Sequence, residues 1–153
     1  MMRKKNCAPY EAVEEAAEVP YDAAAPSFGG TAALDALLRE PGESFSHMLL
    51  RLIDESGRTD ADVYRRANLD RRLFSKIRSK ADYQPSKATV LALAVSLRLD
   101  EDRTRDLLRA AGYALSPASR RDRIVEYFLR SGNYNIFELN EALFAYDEPA
   151  LGA

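Results

Sequence analysis

Apolar residues recur at intervals of three and four along most of the chain, a spacing typical of helices with one buried face. Residues 44–56 show it clearly, with Ser44 placed to cap a helix and Gly57 to end it. The predicted buried stripe of this helix is Phe45, Met48, Leu49, Leu52 and Ile53. Because no segment alternates apolar and polar residues as a half-buried strand does, the pattern predicts an all-α protein without a sheet.

The segment 59–80 predicts two short helices joined by a tight turn. Thr59 with Asp62 makes a capping-box-like start for the first helix, and Asp70 is a suitable N-cap for the second. Asn68 lies where the chain must turn sharply, and asparagine adopts the left-handed conformation more readily than most residues. The second helix has a narrow apolar stripe formed by Leu73, Phe74 and Ile77. Its opposite face carries cations and hydroxyls, namely Arg71, Arg72, Ser75, Lys76, Ser79 and Lys80.

Two further helices are predicted after this segment. Pro85 interrupts the chain, and Ser86 is placed to cap a helix whose apolar residues are Val90, Leu91, Ala94, Leu97 and Leu99. Asp100 can cap the next helix, which Gly112 ends. That last helix carries Arg103, Arg105 and Arg109 with Asp102 and Asp106 as neighbours, which favours a charge-balanced solvent face.

The order of helix, tight turn, basic helix, Pro–Ser cap and apolar helix resembles the λ-repressor/Cro-like (Xre-type) helix-turn-helix family. The resemblance covers roughly residues 45–115 and implies a five-helix bundle over 44–115. It also implies a sequence-specific bacterial transcription regulator that binds double-stranded DNA, with the basic helix 71–80 in the major groove. The base contacts that it implies are Arg71, Arg72, Ser75 and Lys76. The phosphate contacts that it implies are Thr59, Arg78, Lys80, Ser86 and Lys87.

Residues 116–153 lie beyond the predicted five-helix domain. Their pattern predicts two additional C-terminal helices packed on that domain. Ser119 with Asp122 and Asn135 with Glu138 are capping-box-like starts for them. These helices either extend the core or present a surface for self-association or for another protein. The candidate interface residues are Tyr127, Phe128, Phe137 and Phe144. The segment is also similar, more weakly, to a C-terminal helical module of multidomain bacterial proteins, some with macrodomains, which implies an adaptor.

The N-terminal part of the chain predicts little packed structure. Residues 1 to about 30 contain prolines and glycines among alanines and glutamates, which predicts a disordered acidic leader. Residues 31–43 predict a short helix, with Leu34, Leu37 and Leu38 on it, followed by a linker. This leader is either an acidic arm that competes with DNA or an ordinary solvated tail.

Charge is distributed unevenly, although the 153 residues carry a net charge of only −2. Residues 58–87 contain nine lysines and arginines against four acidic residues, whereas residues 1–43 contain four against eight. A basic middle segment behind an acidic leader is compatible with DNA binding, which needs a local positive face.

The sequence favours neither catalysis nor a cofactor. Cys7 is the only cysteine and His47 the only histidine, so ordinary zinc ligation and an internal disulfide are not expected. No glycine-rich phosphate loop and no nucleophile beside a base occurs, so we expect a protein that is not an enzyme. No apolar run is long enough for a membrane span, and the chain is expected to be cytoplasmic.

Two functional hypotheses follow from the sequence. The first is the DNA-binding regulator, which binds as a dimer through its basic helix. The second is a non-enzymatic protein-interaction module on a repressor-like scaffold, because a fold does not fix a function. Asp60, which would repel phosphate, and Tyr64, which stands where the family usually has a small alanine, favour the second hypothesis.

Overall fold

A computed structural model of the protein describes residues 31–152 and contains eight α-helices and no strand in that range. The all-α prediction is therefore confirmed for the described residues, whereas the predicted disordered leader lies outside them. The helices are α1 Thr31–Arg39, α2 Phe45–Ser56, α3 Asp60–Arg66, α4 Arg71–Ser79, α5 Lys87–Ser96, α6 Glu101–Ala110, α7 Arg120–Ser131 and α8 Ile136–Ala145. None of them is long and apolar enough to cross a membrane.

The chain divides into two units, the first ending at Pro41 and the second beginning at Gly42. In the first unit the structure describes helix α1, which has no buried residue and exposes its three leucines, Leu34, Leu37 and Leu38. The short helix predicted from the sequence is thus present.

Helix α5 is the centre of the second unit. Every residue from Thr89 to Leu97 is buried, because this helix is apolar on all sides and packs against α3, α6 and α8. Helix α6 also packs on α2 and α7, and α7 pairs with α8. Val125 and Leu139 consequently belong to the same core as the earlier helices.

Side-chain caps begin the seven helices of the second unit, as the sequence predicted. Each capping oxygen accepts a hydrogen bond from a backbone N–H in the first turn, which satisfies a donor that the helix leaves unpaired. The capping residues are Ser44, Thr59, Asp70, Ser86, Asp100, Ser119 and Asn135. The turn between α3 and α4 places Asn68 at φ 58°, in the left-handed region expected for it.

The residues after α8 are held on the bundle by two hydrogen bonds that the sequence pattern did not indicate. Asn140 donates from Nδ2 to the Leu151 carbonyl at 3.0 Å and accepts from the Leu151 N–H at 2.8 Å. Leu151 is fully buried. Gly152 has φ 73°, and a Cβ there would lie 2.3 Å from the carbonyl oxygen of Ala67, so the chain passes directly over the α3–α4 turn.

Candidate nucleic-acid interface

Helix α4 is held on its inner side by two buried apolar residues and at both ends by hydrogen bonds. Phe74 and Ile77 are buried, whereas Leu73, predicted for the same stripe, is only partly so. Asp70 caps the start of the helix, and the buried Ser46 hydroxyl donates to the Lys80 carbonyl at its end, over 3.1 Å. The helix therefore has one orientation, with its basic face outward.

Tyr64 occupies the crossing of α3 and α4. Its partly buried ring lies 5.7 Å from that of Phe74, with 46° between the ring planes. A tilted aromatic pair of this kind contributes about 0.5–1.5 kcal/mol beyond its buried area. The bulky residue is thus packed as part of the contact between the two helices.

The four candidate base-contacting residues share the outer surface of α4. All four are exposed and, with Asp70, line a shallow open depression of about 540 Å³; they are Arg71, Arg72, Ser75 and Lys76. Among the described residues, none of the three cations forms an ion pair with a carboxylate. Their charge is therefore available to an anion from solution.

One candidate phosphate contact, Arg78, pairs with Asp60 across the two helices. Its Nε and Nη2 donate to the two carboxylate oxygens over 2.8 and 3.0 Å. This bidentate pair raises the pKa of Arg78, chiefly through the hydrogen bond to Asp60. Asp60 thus neutralises one cation beside the basic face, an effect that no pattern within either helix could indicate.

A second candidate, Lys87, points into the protein. Its Nζ donates to Oδ2 of Asp122 over 2.5 Å, with the lysine side chain 20% exposed and the aspartate 1%. Asp122 Oδ2 also accepts from the Ser116 N–H over 2.8 Å. The sequence pattern indicated Asp122 only as part of a helix start. Lys87 therefore joins α5 to α7.

Of the remaining phosphate candidates, two are helix caps and one is an exposed lysine. Thr59 and Ser86 use their hydroxyl oxygens to accept from the N–H groups of Asp62 and Thr89. Lys80 is exposed at the end of α4 and has no carboxylate partner among the described residues. Lys80 is thus the one cation of the predicted phosphate set that is unpaired in the described part of the chain.

The four candidate interface aromatics do not form one surface. Tyr127 and Phe128 line an open groove of about 880 Å³ between α7 and α8, with their rings 5.9 Å apart. Phe137 lines a different, polar depression beside Arg66, and Phe144 lines neither. Phe137 and Phe144 are seven residues apart and so share one side of α8.

His47, the only histidine in the sequence, belongs to a surface cluster of charged side chains with Glu43 and Arg51. His47 is exposed and its Nδ1 lies 2.9 Å from a carboxylate oxygen of Glu43. Arg51 and, to a lesser extent, His47 lower the pKa of Glu43 to about 2, so this glutamate is an ion-pair partner. The described residues contain no group of three His, Cys, Asp or Glu side chains suited to hold a metal ion.

Comparisons with protein-family models, with curated proteins and with solved structures found no match to this chain.

Proposed function

We propose that the protein is a sequence-specific DNA-binding regulator of the λ-repressor-like helix-turn-helix type, with α2 to α6 as its DNA-binding domain and α4 as its recognition helix. The observation that carries the proposal is the outer face of α4, where Arg71, Arg72 and Lys76 surround one depression and have no carboxylate partner among the described residues. Asp70 also lines this depression, where its side chain accepts from the Arg72 backbone N–H as the helix cap.

The packing of α4 supports insertion into a major groove. The side of the helix that carries Phe74 and Ile77 is buried, and the opposite side is exposed to solvent. The major groove of B-DNA is about 12 Å wide and admits one α-helix. Arg71 and Arg72 lie in the first turn, the part of a recognition helix that reaches base edges in this motif.

The contacts with DNA divide by chemistry. Arg72 can donate two hydrogen bonds to guanine, which distinguishes bases by roughly 1–3 kcal/mol. Lys80 and the N–H groups at the start of α5 are suited to phosphate, which adds affinity without sequence preference. Lys87 is withdrawn from this set by Asp122.

The first test is the selection of binding sites from random duplexes. We expect the wild-type protein to enrich a defined site and Arg72→Ala to bind it with relaxed preference at one position, because only a base contact carries sequence information. Lys80→Ala should weaken all duplexes alike. Arg109→Ala is the matched control, since Arg109 is exposed on α6 and its only ion-pair partner in the described part of the chain is Asp106. Enrichment of no site by the wild type would contradict sequence-specific recognition.

A protein-interaction module is the second candidate function. The observation that favours it is the apolar groove between α7 and α8, together with the ion pairs that occupy Arg78 and Lys87. These pairs leave fewer cations for phosphate than the sequence predicts. In either case we propose a bacterial cytoplasmic protein without enzymatic activity.

A further inference from the structure

The residues after α8 turn back along that helix and reach the α3–α4 turn. Asp147 has φ 59°, in the left-handed region, and the Glu148 N–H donates to the Leu143 carbonyl over 2.9 Å. This arrangement ends the helix and reverses the chain. Residues 147–152, which we call the tail, thereby connect the C-terminal helices to the turn that leads into α4.

Hydrogen bonds on one side and close packing on the other hold the tail in place. Asn140 binds both the carbonyl and the N–H group of Leu151, whose side chain is fully buried. Gly152, at φ 73°, lies against the turn itself, since an added Cβ would be 2.3 Å from the Ala67 carbonyl oxygen and 3.0 Å from that of Asn68. The shorter distance excludes any side chain at this position unless the tail or the turn moves.

The turn determines where α4 lies. Helix α3 has only seven residues, and α4 packs mainly against α2 and α3. Between α3 and α4 the Leu69 N–H donates to the Tyr64 carbonyl over 2.8 Å. Because this connection is short and hydrogen-bonded, a displacement of the turn moves the start of α4, which carries Arg71 and Arg72.

We propose that Asn140 and Gly152 are positioning residues for DNA recognition. Asn140 holds the tail on α8, and Gly152 allows the tail to lie directly on the turn, which keeps Arg71 and Arg72 in register with the base edges. Recognition needs such support, because a binding group is effective only within about 0.5 Å of its productive geometry. The inference rests on the proposed function and gives residues 116–152 a part in it beyond covering the core.

Gly152→Ala is the direct test. Its Cβ must displace the tail or the turn, so affinity for the duplex that the wild type selects should fall by at least about tenfold, roughly the loss of one base contact. Affinity for random duplex should change much less, because phosphate contacts carry no sequence information. Gly112→Ala is the matched control, since Gly112 has φ 85° and a Cβ there meets no atom within 4 Å beyond its chain neighbours. It introduces the backbone strain without the contact.

Asn140→Ala tests the other side of the tail. It removes both hydrogen bonds to Leu151 and should lower the ratio of specific to random affinity as Gly152→Ala does. Binding is measured well below the melting temperature of each variant. A loss of stability alone then leaves the folded fraction, and so the affinity, unchanged.

Amide hydrogen exchange reports on the turn in the absence of DNA. The rate of the Leu69 N–H, relative to that of the Leu93 N–H in the buried helix α5, should rise by at least about tenfold in Gly152→Ala and Asn140→Ala. A general loss of stability would accelerate both amides alike. A rise in the ratio therefore identifies a local loosening of the turn.

An unchanged ratio of affinities in both variants, or an unchanged Leu69 rate relative to Leu93, would overturn the inference. The same loss of specificity in Gly112→Ala would also overturn it, because backbone strain and not the contact with the turn would then be the cause. A wild type that selects no site would defeat the proposed function. A loosened turn in the same variants would then place the failure in DNA binding and not in the tail.

Discussion

Lys87 is a candidate phosphate contact by sequence, but in the structure it is one half of an ion pair inside the protein. By sequence it stands one residue after a helix cap, where a lysine can contact phosphate. In the structure its charge is committed to Asp122, which is buried and leaves its other carboxylate oxygen, Oδ1, without a hydrogen-bond partner. Burying the two charges costs desolvation free energy, which their mutual attraction offsets. Removing one partner therefore leaves the other charge buried without compensation.

Removing one member of this pair should destabilise the protein strongly. Lys87→Met leaves the buried Asp122 charge uncompensated, and we expect a loss of about 3 kcal/mol in the free energy of unfolding, near the lower limit for buried pairs because Lys87 is partly exposed. The double variant Lys87→Met/Asp122→Leu should recover much of that loss. Urea unfolding of these two variants and of Asp122→Leu alone measures it, and losses that simply add would show that the two residues are not coupled.

Asp60 should lower the affinity of the protein for DNA. Asp60→Asn removes a negative charge beside the basic face and releases Arg78, so binding of random duplex should tighten and the salt dependence should steepen by about one unit of slope. Stability should change by less than about 1 kcal/mol, because exposed ion pairs contribute little. Fluorescence anisotropy on a labelled duplex measures the affinity. Weaker binding by the variant would mean that Asp60 contributes to DNA binding and does not oppose it.

At the scale of elements, helix boundaries were predictable and the pairings between helices were not. A cap, an apolar stripe and a stop are local in sequence, which is why Asp70 and Asn68 could be assigned before the structure was known. The partners Asp60–Arg78 and Lys87–Asp122 are 18 and 35 residues apart and carry no local signal. Their pairing follows only from how the helices pack.

Ion pairs between α6 and α7 should make the free energy of unfolding depend on pH. Arg130 is the main cause that lowers the pKa of Glu101 to about 2, and Arg105 contributes. A carboxyl group whose pKa is lowered by folding stabilises the protein above its unfolded pKa of about 4.5 and loses that contribution as the pH falls towards 2. The pair is largely solvated, which keeps this contribution small.

Glu101→Gln tests this linkage. The variant should melt a few degrees below the wild type at pH 7, and the two melting temperatures should converge between about pH 4.5 and pH 2. Thermal unfolding at a series of pH values follows the difference. A gap that persists unchanged at pH 2 would mean that the glutamate contributes by packing and not by charge.

At the scale of the molecule, one core positions two separate surfaces. Helix α5 contacts both α3, which leads into the basic face, and α8, which carries part of the groove. The sequence predicted a basic face and an aromatic C-terminal surface. It could not predict that Tyr127 and Phe137 lie in different depressions, because that depends on where α8 docks.

DNA binding by α4 is tested most directly by the salt dependence of binding to random duplex, from about 50 to about 200 mM monovalent salt. We expect measurable binding at the low end and a linear fall of log affinity with log salt. Lys80→Ala should flatten that slope by about one unit, because Lys80 is the proposed phosphate contact, and Arg109→Ala should not change it. Folded wild-type protein that binds no duplex at low salt, or a slope unaltered in Lys80→Ala, would contradict DNA binding by the basic face of α4.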